Sequence, residues 1–160
     1  MLAFDTLEPQ EIDRYWLTVV GETWEGWKLP TDLIRHSRYA TRITFVNRYV
    51  PDTEVAAYFA GADAVVLPYL RSSASGPLHV AMSHGLPTVV TRVGGLTEAA
   101  ADYAGAITVE PRNPQALRDA LRQVRSLRGE RFADPQSWQN SVNRYERLFA
   151  ELGLRSCVAA

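Results

Sequence analysis

Short runs of β-branched and apolar residues recur along this chain with helical patterns between them. That alternation constrains the fold more than any other feature. The runs are Trp16–Val20, Ile43–Val46, Ala64–Leu67 and Thr88–Thr91, with Ala106–Val109 a weaker fifth. Each has the length of a strand, and none alternates apolar with polar residues as a strand with one wet face would. Helical spacing fills the intervals at Thr31–Ser37, Asp52–Ala60, Gly76–His84 and Leu96–Ala101. Strands buried on both faces need helices over both, so the pattern predicts an α/β domain with a doubly wound parallel sheet.

Two longer helical patterns close the chain. Leu117, Ala120, Leu121, Val124 and Leu127 form one apolar stripe, with Pro114 at its start and Gly129 past its end. Arg118, Arg122 and Arg125 lie off that stripe and are expected on a solvated face. Trp138, Val142, Tyr145, Phe149 and Leu152 form a second stripe over a terminal helix at about 135–152, expected to pack on its own domain. No internal linker interrupts the pattern, so all of 1–160 is expected to be one domain.

A net charge of −1 gives no electrostatic reason to expect nucleic acid or an anionic membrane as a partner. Cys157 is the only cysteine, which excludes a disulfide framework and a thiolate metal site. No apolar run reaches membrane-spanning length and no secretory leader pattern opens the chain, so a cytoplasmic location is expected. Peripheral membrane attachment could come only through parts beyond this sequence.

The stretch from Tyr69 to Ser75 leaves the carboxyl end of the run Ala64–Leu67. In doubly wound sheets that edge is where ligands bind. Ser75 suits a helix N-cap, and Pro77 fits the first turn because its missing N–H has no partner there. Gly76 between them allows close approach to the backbone. First-turn N–H groups and the helix dipole would then face an anion, with phosphate the natural occupant. Ser72, Ser73 and Ser75 add hydroxyls for phosphate or sugar oxygens, and His79 lies close by. The same residues also fit a plain capped helix after a polar loop. Gly94-Gly95 repeats the arrangement after the next strand, with Glu98 expected in the first turn of its helix.

Sharper motifs are absent: there is no phosphate-binding Walker loop, no G-x-G-x-x-G after the first strand and no G-x-S-x-G elbow. His79 and His84 are spaced poorly for one helix face and have no acidic or thiol companions, so no metal is expected. The segment "ETWEGW", Glu22–Trp27, could serve as a contact surface for a partner, but its tryptophans are expected to cover the edge of the sheet.

In order, "VVGE", "RITFVNRYVPDTEVAAYFAGAD", "ADAVVLPY", "SGPLHVAMSHGLPTVVTRVGGLTEAA" and "GAITVEPRNPQALRDAL" resemble the donor-binding, C-terminal half of family-4 glycosyltransferases of the GT-B fold. The resemblance spans about Trp16 to Leu127 and implies a Rossmann-like sheet. It also implies a retaining transferase that moves a sugar from a nucleotide diphosphate donor to an acceptor without an obligatory metal or other cofactor. The donor base would lie by Asn47, Tyr49 and Val50, read through the backbone. The diphosphate would lie over Ser75-Gly76, and Gly21 would border the same cleft.

This chain departs from the family pattern in two respects. Ser72 and Val80 stand where the family often carries two glutamates, so no acid is carried over and the serines remain as sugar and ribose candidates. A subgroup with a Ser-Gly pattern resembles "SSASG". "MLAFDTLEP" resembles the end of the family's first helix, so the preceding strand, its basic pair and the acceptor-binding half are expected outside this sequence. The runs Trp16–Val20 and Ala64–Leu67 should then either pair directly or leave a gap. No residue is placed to serve as general base. A separate N-terminal half is the implied partner. A nucleotide-sugar-binding subunit or fragment without turnover, or an epimerase of similar architecture, remain as alternatives.

Overall fold

The computed structural model describes residues 1–153, so Cys157 lies outside the described residues. Five strands appear in chain order: β1 (Leu17–Val20), β2 (Ile43–Val46), β3 (Val65–Leu67), β4 (Thr88–Thr91) and β5 (Ala106–Val109). Their helices are α1 (Leu2–Asp5), α2 (Leu29–Arg35), α3 (Asp52–Ala60), α4 (Gly76–Ser83), α5 (Gly94–Ala100), α6 (Pro114–Ser126) and α7 (Trp138–Glu151). The β-branched runs became strands and the expected helices formed, with boundaries moving by one to two residues at most sites. This is the α/β, Rossmann-like architecture that the alternation predicted.

All strand pairs are parallel, but they fall into two sheets. β1 pairs with β2, with Leu17 opposite Ile43. β3, β4 and β5 form the other, with Val65 opposite Thr88 and Thr88 opposite Ala106. β1 and β3 do not pair with each other, so a gap separates the two sheets, the second of the two outcomes expected from the sequence.

Helix layers cover the sheets from both sides. Successive side chains of β4 point to opposite faces: Val90 joins Leu67 under Leu78, Met82 and Leu96 of α4 and α5, whereas Val89 packs against Ala120 and Val124 of α6. The two-stranded sheet has its own core, where Phe4, Leu7 and Ile12 meet Leu17 and Ile43. Contacts bridge the gap on each side. Arg122 of α6 grips the Glu11 carboxylate with two hydrogen bonds of 2.9 and 2.8 Å, and the Tyr15 hydroxyl donates to the Leu121 carbonyl. On the other side the Phe59 ring of α3 stacks on His84, just past the end of α4, at 6.1 Å.

Several sequence expectations need correction. β1 is not buried throughout: Thr18 and Val20 are exposed, because a strand paired along only one edge is not enclosed on both faces. Arg122 is not part of a free solvated face, since its guanidinium is committed to Glu11. Most of the stripe on α7 is left uncovered by the described residues, for Trp138 is 83% exposed and Tyr145 and Leu152 are 62% exposed, with Val142 alone half-buried. Trp24, also 83% exposed, covers no sheet edge. Helix α5 begins two residues earlier than expected, which moves Glu98 out of its first turn.

Candidate functional site

The connection from β3 to α4 forms an open groove of about 640 Å³ lined by Tyr69, Arg71, Ser72, Ser73, Ala74, Ser75, Gly76 and Pro77. Its helical wall begins as the sequence suggests. Ser75 adopts an extended backbone, and its hydroxyl accepts the Leu78 N–H at 3.2 Å. Pro77 in the first turn lacks an N–H, and the His79 N–H donates to the Ser75 carbonyl at 3.3 Å. A helix start leaves four orphan donors. Here proline and the serine cap account for two, so the Ser75 and Gly76 amides are the ones left, together with those of the loop before them. The cradle expected from the sequence is therefore narrower than a full helical turn and is centred on residues 75 and 76.

Gly76 is exposed, and a Cβ added there would meet nothing within 4 Å. The spot is open to a solute. Ser72 and Ser73 stand at the groove rim, with the Ser72 hydroxyl donating to the Ala74 carbonyl at 2.8 Å. Ser75, by contrast, is buried at 4% exposure, which makes its side chain a cap before anything else. Arg71 also lines the groove, a cation that the sequence reading did not single out. Its only signal was its place directly before the serines at a strand's carboxyl end.

The loop is held from below. The Thr91 hydroxyl at the end of β4 donates to the Tyr69 carbonyl at 2.6 Å. A Cβ on Gly94 would sit 2.2 Å from the Ser72 carbonyl oxygen, and one on Gly95 would sit 2.1 Å from that of Ser73. Only residues without a Cβ let α5 approach this closely. The side of Gly94-Gly95 on which a Cβ would stand is thus filled by the carbonyls of the serine loop.

The remaining sequence candidates gather elsewhere along the strand ends. The Gly21 N–H donates to the Val46 carbonyl at 3.1 Å, and Gly21 has φ 138°, a backbone conformation that favours glycine. The Asn47 side-chain oxygen accepts the Thr23 N–H at 2.9 Å, tying the loops after β1 and β2 together. Tyr49 is 70% exposed, its carbonyl accepts from Arg48, and Arg48 also pairs with Glu54. Val50 is half-buried. Gly21, Asn47, Tyr49 and Val50 are absent from the serine groove's lining, and His79, exposed on α4, does not line it either.

Among the described residues no group of three or more His, Cys, Asp or Glu side chains could hold a metal ion. Among the same residues no helix is long and apolar enough to cross a membrane. Two groups among the described residues are strongly shifted, and both lie away from the groove. Arg122 holds the Glu11 carboxyl down at about 2, chiefly through their hydrogen bonds. Burial pushes the Tyr103 phenol up to about 12, with its hydroxyl donating to the Leu86 carbonyl at 2.8 Å.

The sequence profile described as "Glycosyl transferases group 1" matches residues 2–126. D-inositol 3-phosphate glycosyltransferase of Corynebacterium urealyticum is 32% identical over 111 residues, which cover 64% of this chain and 26% of that protein. The C-terminal domain of a group 1 glycosyl transferase family protein (LpcC) of Francisella tularensis superposes with a TM-score of 0.64 at 18% identity, over 97% of this chain and 78% of that one. Anabaena HepE, solved in complex with UDP, superposes with a TM-score of 0.60 at 17% identity, over 94% of this chain and 43% of that one. The chain spans only about a quarter of the first of these, the curated relative.

Proposed function

This chain belongs to the group 1 glycosyl transferases, and on that premise we propose that it is the donor-binding half of such an enzyme. It takes a nucleotide diphosphate sugar, and a separate N-terminal half holds the acceptor during retaining transfer of a hexosyl group. The observation that carries this reading is the open backbone at Gly76, beside the buried serine cap at the start of α4.

The chemistry follows from where charge develops. Breaking the bond between the anomeric carbon and the donor's diphosphate oxygen leaves that oxygen carrying the bonding electrons. Amides fixed beforehand at Ser75 and Gly76 stabilise the growing charge without reorganising, and the positive end of α4 adds to them. Arg71, in the same groove and without an ion-pair partner among the described residues, is the nearest available cation. Ser72 and Ser73 supply hydroxyls to the sugar. Holding both substrates together supplies the rest, as the orientation of two reactants removes much of the entropic barrier. The loops carrying Gly21 and Asn47–Val50 take the nucleoside end of the donor, with Asn47 fixing their spacing through Thr23.

Gly76→Leu tests this directly, because its side chain enters open space and leaves the fold intact. UDP and GDP titrated into the purified chain by calorimetry should bind the native protein. The variant should bind at least about tenfold more weakly, because the Leu side chain fills the space through which a phosphate reaches the amides and so prevents their charge-assisted hydrogen bonds. Equal affinity in a folded variant would remove the diphosphate from this groove.

A further inference from the structure

Two exposed tryptophans stand on one fixed turn. The Trp27 N–H donates to the Trp24 carbonyl at 3.0 Å, so residues 24–27 form a β-turn. Gly26, third in the turn, has φ 78°, which glycine adopts without steric cost. Just before the turn, the Thr23 N–H donates to the Asn47 side-chain oxygen at 2.9 Å, which ties it to the loop after β2. Just after it, α2 begins with Pro30 in its first turn. The backbone is held on both sides, yet Trp24 and Trp27 leave 83% and 50% of their surface to solvent. Trp16 makes the contrast. It is exposed too, but its indole N–H donates to the Thr44 hydroxyl at 2.9 Å. The indole N–H groups of Trp24 and Trp27 have no partner among the described residues. The ends of a β-turn lie within about 7 Å of each other, so the two indoles spring from neighbouring points.

The groups beside them define the ligand. Glu22 and Glu25 are exposed and form no ion pair among the described residues, with Lys28 the one cation next to them. Two carboxylates against one ammonium repel an anionic lipid surface or a phosphate. The turn offers apolar ring faces, indole N–H donors and carboxylate acceptors. A sugar ring matches all three, with a C–H face to lie on an indole and hydroxyls that both accept and donate. Hydroxyls donating to a carboxylate form the stronger, charge-assisted kind of hydrogen bond. We infer that the Trp24–Trp27 turn is a binding site for an uncharged oligosaccharide, a glycan to which sugar is added. It gives that glycan a second hold besides the half that carries its reacting end, which raises the effective concentration of that end. The binding rests on the turn alone, and only its part in transfer rests on the function proposed above.

Maltohexaose, cellohexaose and mannohexaose titrated into the isotope-labelled chain test this by NMR of the indole N–H signals, each assigned by a Trp→Phe substitution. The Trp24 and Trp27 signals should move to saturation with at least one glycan, while those of Trp16 and Trp138 stay in place. Trp24→Ala should weaken that glycan at least about fivefold, and Trp24→Tyr should bring affinity back to within about twofold of the native chain. Both changes replace an exposed side chain, so the fold is retained. Unmoved Trp24 and Trp27 signals with all three glycans would overturn the proposal, as would native affinity in Trp24→Ala. So would signals that move only with UDP or only with anionic phospholipid vesicles, for the occupant would then be a nucleoside or a membrane. Glycan binding by a chain that takes up neither UDP nor GDP would uphold this site and remove the donor groove.

Discussion

The two sheets of this domain are made of similar residues but are finished to different degrees. In the three-stranded sheet β4 is flanked on both edges, and all four of its residues are buried. Its own Val89 and Val90, and Leu78 and Leu96 of the helices over it, are fully buried. In the two-stranded sheet β1 alternates between half-buried and exposed positions, and Val20 is 40% exposed. β1 is Leu-Thr-Val-Val and β4 is Thr-Val-Val-Thr, so composition does not account for the contrast. Neighbours do. A strand with both edges paired and both faces covered is enclosed by its surroundings, whereas a strand with a bare edge leaves water beside its side chains. The groove that carries the candidate chemistry grows from the enclosed sheet, and the loops assigned to the nucleoside end grow from the open one.

The largest expected effect tests that contrast in stability. Leu78→Ala in the enclosed half should cost about 3 kcal/mol, as for other fully buried leucines, while Leu17→Ala in the open half should cost about 1 kcal/mol. Urea unfolding of both variants measures this, and equal losses would break the distinction. Next comes the support of the serine loop. Gly95→Ala drives a Cβ into the Ser73 carbonyl and should cost about 2 kcal/mol by overpacking. The same variant should weaken UDP binding in calorimetry, because the groove wall moves with the loop. Retained affinity would mean that the loop and α5 are not coupled.

The smallest effect concerns the ion pair that joins the halves. Arg122 lowers the folded-state pKa of Glu11 from the ordinary 4.5 to about 2. A carboxyl with a depressed folded pKa contributes stability above its unfolded value, and loses that contribution as pH falls through its folded one. The melting temperature should therefore decline between about pH 4.5 and pH 2 more steeply in the native chain than in Arg122→Gln. Parallel curves would show that the pair does not couple the N-terminal segment to α6. The group is solvent-accessible, so the difference is expected to be small.

Much of this was legible in the sequence. The limits of β2, β4 and β5 followed from their β-branched runs, and α3 followed from its spacing, because local propensity and tertiary position agree there. Ser75 was readable as a cap because its partner is three residues away. Features that depend on distant neighbours were not readable. Periodicity marks α7 as amphipathic without saying what covers its apolar face, and no described residue buries Trp138. Gly94-Gly95 reads as another helix start, and nothing local announces that the carbonyls of Ser72 and Ser73, more than twenty positions earlier, fill the space a Cβ would take. Arg122 looked solvated because nothing in its own helix announces Glu11. Arg71 escaped notice because a single arginine beside serines has no distinctive spacing.

The glycines of α5 carry a consequence for how this groove can diversify. The main-chain path of residues 72 and 73 is pinned by contacts that tolerate no added atom, whereas Ser73 and Ala74 present their side chains to open solvent. Selectivity for one sugar over another can therefore drift by exchanging those side chains, while the trace of the loop stays fixed. Libraries that randomise 73 and 74 should yield folded proteins with altered ligand preference, and libraries that include 94 and 95 should mostly yield misfolded ones.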